Sequence, residues 1–272
     1  MACCVLIFNA VRHLIIGRST NNDKQRNKMA TKRHAFYGIL ALVSLVGLST
    51  TQSAKAAQLI TNGNFETGNF AGWTEFDQAG GSGSFFISNP GANTPLSDFL
   101  TAANPSGGRY YAVSDQFGPG CHALLQSFTI PNGASNVVLS FQMFVNNQFG
   151  APIVNPAGLD YTASPNEHGR VDILSSSATP FDTGAGVVEN LYLGSDPGLN
   201  PNPYTSYSFN LSNLAPGTYQ LRFAEVDNQF FFNEGVDNVS INTPDSGRTV
   251  VLLGVAMIVV GLLHRRIAPK RA

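Results

Sequence analysis

Between residues 58 and 243 apolar and polar positions alternate with a period of two in short runs, and helical periodicity is nearly absent. The runs at 59–66, 73–77, 84–88, 109–115, 123–130, 136–145, 170–174, 187–193, 204–210, 219–227 and 236–242 predict strands. Turn-forming clusters separate them, among them Gly80-Gly81-Ser82-Gly83, Pro131-Asn132-Gly133 and Ala215-Pro216-Gly217. Short strands at even spacing with Gly, Pro and Asn between them predict an all-β fold, a jelly-roll β-sandwich of about 8–11 strands. Two longer loops, 149–166 and 196–203, are rich in Pro, Gly and Asn, a composition that goes with function.

Outside this region the pattern changes. Residues 249–263 carry no charge and are almost wholly apolar. The run is shorter than the roughly 20 residues of a comfortable span, but Ile267 and Ala268 extend it while Arg265 and Arg266 snorkel to the interface. It predicts a transmembrane helix rather than a buried core helix. The basic stop of Arg265, Arg266, Lys270 and Arg271 stays cytoplasmic and leaves the domain outside. At the other end, Lys32-Arg33-His34, an apolar run at 35–50 and the small-x-small site of Ala54 and Ala56 make residues 29–56 a signal peptide. Residues 1–28 precede a complete signal, so either translation starts at Met29 or the chain has an extended basic start. The expected organisation is therefore 1–28, 29–56, a domain at 57–242, and a terminal segment at 243–272.

That terminal segment opens with Thr243-Pro244-Asp245-Ser246-Gly247. Polar motif, apolar span and basic end together resemble the sorting signal of exosortase substrates, in its Val-Pro-Asp-Ser-Gly variant (a PEP-CTERM-like tail). Pro244, Asp245, Ser246 and Gly247 match, and Thr243 replaces Val. The resemblance implies an exosortase-type processing enzyme, signal peptidase and the export machinery as partners, with the membrane reached through the terminal helix and the cell surface as destination. Within the domain, Asn62-Gly63-Asn64-Phe65-Glu66 and Gly72-Trp73 at the start, and Gly235-Val236-Asp237-Asn238-Val239 at the end, resemble galactose-binding-like jelly rolls, including carbohydrate-binding modules. By that resemblance the terminal strands are neighbours, and Glu66 and Asp237 hold a structural calcium assisted by carbonyls near Asn62 and Asn64.

A second line concerns Asp237 alone. Alternation puts it on the row of Val239 and Ile241, with 219–227 as hairpin partner presenting Tyr219, Leu221, Phe223 and Glu225. A core-facing carboxylate requires a cation or several donors. The alternatives are a half-solvated strand edge, or pairing with Arg222 or Arg109.

Charge narrows the ligand class. From 58 to 243 there is no Lys, and three Arg face fifteen carboxylates, a net charge of about −12 that excludes nucleic acid as a partner. Neutral sugars or divalent cations remain compatible. Cys121 has no partner in this region, so no internal disulfide is expected. Sugar recognition would use aromatic faces and amides: Tyr161, Tyr192, Tyr204, Tyr207, Asn146-Asn147-Gln148 and Asn228-Gln229-Phe230-Phe231-Phe232. Trp73 reads better as a core anchor. No catalytic residue is assigned: His122 and His168 lack triad or metal spacing, and Cys121 and His122 point to opposite faces of a strand. The expected protein is an exported, non-enzymatic surface protein that binds carbohydrate or exopolysaccharide. A structural envelope protein without a ligand, and more distantly a glycoside hydrolase, are the alternatives.

Overall fold

Alternation of apolar residues produces eleven strands and no helix among the described residues, which in this computed structural model are 57–104, 106–148, 153–155, 157–194 and 200–243. The segment 1–28, the signal peptide with Ala54 and Ala56, the motif Pro244, Asp245, Ser246 and Gly247, the span 249–263 and the basic stop lie outside the described residues. The strands are β1 (Ala57–Gln58), β2 (Thr74–Asp77), β3 (Ser84–Ser88), β4 (Tyr111–Asp115), β5 (Gly120–Ile130), β6 (Val138–Asn147), β7 (Glu167–Ser175), β8 (Val187–Leu193), β9 (Thr205–Asn210), β10 (Gly217–Asp227) and β11 (Phe232–Thr243).

They form two antiparallel sheets stacked as a β-sandwich. One has the order β3-β4-β11-β6-β9 with β1 also on β11; the other has the order β2-β5-β10-β7-β8. Most successive strands change sheet, the crossing pattern of a jelly roll. The terminal strands are neighbours, with Ala57 opposite Thr243 and Gln58 opposite Asn242. Ala57 and Thr243 therefore lie side by side at one edge of the domain. β11 has 12 residues, so at roughly 3.3 Å per residue its start lies about 36 Å from that edge.

Leu124, Phe128, Val171, Ile173, Leu221 and Phe223 of the five-stranded sheet pack against Phe85, Ala112, Leu139, Phe141, Met143, Val236 and Ile241 of the other. Trp73 is buried among them. Its ring lies 5.5 Å from Phe65 and 6.0 Å from Phe223, and its indole N–H donates to the Asn62 carbonyl. It is a core anchor, as its position before a strand suggests.

Three expectations change. Residues 59–66 do not continue the first strand, because Asn62 and Phe65 take left-handed conformations (φ 50° and 53°) and fold the chain into turns. The 219–227 segment is not the hairpin partner of the last strand: β10 and β11 belong to opposite sheets and face each other across the core. Finally, the ladder between β11 and β6 shifts register between Asp237 and Ser240, with Asn238 at φ 53°. This bulge inverts the alternation. Val236 and Val239 both reach the core, and Asp237 is turned to the outer face.

The turn at 61–65 docks onto that bulge. Gly63 accepts a hydrogen bond from the Val239 N–H at 2.8 Å, and a Cβ at Gly63 would overlap the Val239 carbonyl. Gly63→Ala is therefore expected to destabilise the domain by roughly 1–3 kcal/mol, as overpacking does, read as a lower denaturant midpoint at unchanged slope.

Candidate functional site

The outer face of the five-stranded sheet carries the domain's largest charge network. Alternation on β7 sends Arg170 and Asp172 outward, and alternation on β10 sends Arg222 the same way. Arg170 grips Asp172 with Nε to Oδ2 and Nη2 to Oδ1, both at 2.8 Å. Arg222 donates to Asp172 Oδ2 from Nε at 3.1 Å and Nη2 at 2.5 Å, and from Nη1 to the Pro180 and Asp182 carbonyls. Asn190 of β8 completes the carboxylate, at 2.8 Å. Asp172 and Arg222 are fully buried. Burial raises the Asp172 carboxyl, but the two guanidiniums outweigh it and hold it below its ordinary range. Burial lowers Arg222, opposed by Asp172. The network clamps the loop after β7 over the sheet.

Above Arg170 that loop leaves a pocket of about 580 Å³, lined by Asn155, Gly158, Thr183, Gly184 and Asn190 with the guanidinium at its floor. The lining is amide, hydroxyl, guanidinium and glycine backbone, with Val187 and Leu193 as its apolar wall. Among the described residues no aromatic ring lines it, so the groups named would hold a ligand by hydrogen bonds rather than stacking. Composition alone did not point to this pocket; the adjacency of Arg170 and Asp172 on one strand face was the available signal.

The aromatic and amide candidates lie elsewhere. Tyr204 is buried with Tyr111 and Phe144 on the outer face of the other sheet. Tyr192 and Tyr207 meet edge-on at 5.7 Å. Tyr161 covers β5 and donates to the Ala79 carbonyl. Asn146 and Asn147 are buried, Asn146 accepting from the Asn202 N–H. Of the Phe230-Phe231-Phe232 run, Phe232 is in the interior and Phe230 is exposed. Phe231 contacts Phe99 at 5.2 Å and Phe117 at 5.9 Å, with ring planes inclined by 57° and 67°. Rings so inclined offer no flat platform for a pyranose face.

Neither histidine forms a triad. His122 bonds Asp77 at 2.7 Å and the Ser82 carbonyl at 2.8 Å, tying β5 to the loop after β2. Burial drives His168 down to about 4, keeping it neutral. Cys121 lies on the other face of β5, where burial pushes its thiol up, away from a reactive thiolate.

Glu66 and Asp237 do converge. Both carboxyls lie over Gly108, with Glu66 Oε1 2.9 Å and Asp237 Oδ2 3.7 Å from where a Cβ would stand. Glu66 Oε1 accepts from the Arg109 and Tyr110 N–H groups; Asp237 accepts from Asn104 Nδ2 at 2.6 Å and the Asn238 N–H at 2.7 Å. Pairing with Arg222 or Arg109 side chains is not what satisfies Asp237. The Asn62 carbonyl is occupied by the Phe65 N–H and the Trp73 indole, so it is not a free ligand. The contacts that satisfy the two carboxylates are N–H donors. Among the described residues no three Asp, Glu, His or Cys side chains form a metal-holding group.

No protein-family model and no curated protein matches this chain. Solved structures similar to it include TmCBM61 in complex with β-1,4-galactotriose (13% identity, TM-score 0.41, covering 68% of this chain and 97% of that one). Two others are the family 11 carbohydrate-binding module from Clostridium thermocellum (13%, TM-score 0.33, 70% and 96%) and the K3 cleaved adhesin domain of Lys-gingipain from Porphyromonas gingivalis (16%, TM-score 0.40, 69% and 99%). Likenesses at this level do not identify a ligand.

Burial, and secondarily the Glu66 charge, raises Asp237 from 3.8 to about 7. The folded state therefore binds this proton more tightly than the unfolded chain. The proton's contribution to stability is full below about pH 4 and lost as pH rises through 7. Melting curves between pH 4 and 8 should show wild type losing stability relative to Asp237→Asn across that window; parallel curves would refute the shift.

Proposed function

We propose that this chain is an exported envelope protein whose β-sandwich binds a carbohydrate in the pocket above Arg170. The observation that carries the reading is the pocket itself. Its volume lies in the range of small-molecule sites, and its polar groups suit hydroxyls. The acidic charge of the domain disfavours nucleic acid and leaves sugars as compatible ligands. Signal peptidase acting after Ala56, and an exosortase-type enzyme acting at Pro244–Gly247, would cut at two points that the pairing of Ala57 with Thr243 keeps side by side. A membrane helix following Thr243 would then hold the sandwich by that edge. Calcium at Glu66 and Asp237 would fasten the first turn to the last strand and favour the ionised Asp237. A ligand-free envelope scaffold is the second reading, favoured by a pocket lining that holds no aromatic ring among the described residues.

A glycan array probed with the full chain tests the first reading against the second, since uniform silence removes the carbohydrate. On a binding glycan, Thr183→Ala and Asn155→Ala should each weaken affinity by roughly 0.5–1.5 kcal/mol, the net worth of one hydrogen bond, at unchanged melting temperature. Replacing 244–247 with alanines should leave an unprocessed, membrane-retained form in the host, detected by intact mass.

A further inference from the structure

One pole of the sandwich interior is built from acids. Glu167, Asp227, Glu225 and Glu234 are fully buried there, drawn from β7, β10 and β11; Asp115 of β4 is buried nearby on the outer face of the six-stranded sheet, on the row of Tyr111 and Val113. Three are supplied with donors. Asp115 accepts from the Leu96 and Ser97 N–H groups, the Ser97 hydroxyl and Asn233. Asp227 accepts from the Gln229 and Phe230 N–H groups and from Gln116. Glu167 accepts from Asn147. Glu225 and Glu234 differ: none of their four carboxyl oxygens has a partner in hydrogen-bond geometry.

These two come from opposite sheets and meet. Gly169 is the cross-strand neighbour of Glu225 on β7, and Glu234 Oε2 lies 2.6 Å from where a Gly169 Cβ would stand. The missing side chain on β7 makes the room in which the β11 carboxyl sits beside its β10 counterpart. The Ser114 hydroxyl approaches Glu225, and the Arg170 backbone N–H approaches Glu234, each lowering the burden only in part. Burial, then the neighbouring acids, raises Glu225 well above its ordinary value; burial does the same to Glu234.

Among the described residues no Lys or Arg side chain reaches these two carboxyls: Arg170 and Arg222 act on Glu234 only from a distance, and His122, the cross-strand neighbour of Glu225 on β5, is held by Asp77 and the Ser82 carbonyl. The sequence from 57 to 243 has no Lys. Arg170 and Arg222 hold Asp172 on the far face of the sheet, and Arg109 lies over the Tyr110 ring. Leaving a charge buried and unpaired costs several kcal/mol, so compensation has to come from outside the chain. Gln116, itself 1% exposed, adds an unpartnered Oε1 at this pole.

We propose that Glu225 and Glu234 hold a divalent cation between the two sheets, calcium because the unpartnered donor atoms there are carboxyl and amide oxygens. The four carboxyl oxygens would supply most of the roughly six to eight oxygens that calcium takes, with the unpartnered Gln116 Oε1 the further donor at this pole; Ser114 Oγ already accepts from the Glu234 N–H. The site is distinct from the Glu66–Asp237 pair, which lies on the outer face. Being closed to solvent, it loads as the sheets assemble, so metal binding and folding are coupled.

The test is to refold the full chain with and without calcium, desalt it, and count bound calcium by atomic emission. Wild type and Asp237→Asn should both retain a slowly exchanging ion. Glu225→Gln and Glu234→Gln should lose it, and with it the calcium-dependent rise in melting temperature. Gln116→Ala, which leaves Asp227 its Gln229 and Phe230 N–H donors, should weaken retention at least tenfold and covers the case in which the glutamate variants do not fold. No calcium retained by wild type overturns the proposal, whatever the variants do. So does an ion lost in Asp237→Asn yet kept in Glu225→Gln. Glutamine variants that carry no less calcium but gain stability at alkaline pH would identify a neutral acid pair instead.

Discussion

The constraint on which the rest of this structure depends is the disposal of buried negative charge. Between 58 and 243 fifteen carboxylates and three guanidiniums cannot be paired one to one, and four acids lie at one pole of the interior with Asp115 buried close by. The fold meets this mostly with neutral donors: loop N–H groups, asparagine amides and serine hydroxyls converge on Asp115 and Asp227. Two of its three cations are concentrated on Asp172. That choice stabilises the loop over the outer face and creates the pocket above Arg170, and it also leaves none for the interior.

The apolar and polar halves of the core have different tasks. Phe141, Phe223, Trp73 and their neighbours supply the non-directional burial that closes the sandwich. At the start of β11 the same inward row turns polar at Glu234, opposite Glu225. Buried polar groups are strong only when satisfied, so this pole is where composition of the surrounding solution acts on the fold. The opposite edge is where the chain enters and leaves. The polar pocket, the acidic interior and the paired residues Ala57 and Thr243 thus occupy separate parts of one domain.

Much of the strand pattern was legible along the chain. Period-two alternation located β3 and β8 at their observed bounds and placed ten of the strands within a few residues, because each side chain's environment follows directly from its parity. Trp73 was readable as an anchor for the same reason. Parity fails where the backbone does not repeat. Asn238 in a left-handed conformation shifts Asp237 to the other face, and left-handed Asn62 and Phe65 end β1 after two residues. Asparagine tolerates that conformation, but nothing local requires it. The convergence of Glu66 and Asp237 was legible only through resemblance, since 171 positions separate them in the numbering.

By itself, the sequence determined the strand content, the acidic character, the presence of a single cysteine between 58 and 243, and the apolar segments flanking the domain, because each depends on residue identity or short-range periodicity. Only tertiary structure decided that β10 and β11 face each other across the core instead of forming a hairpin, that Arg170 and Arg222 share Asp172, and that Glu225 meets Glu234. Those outcomes follow from which strands become neighbours in space, and pairing between strands far apart along the chain is not encoded in any local pattern.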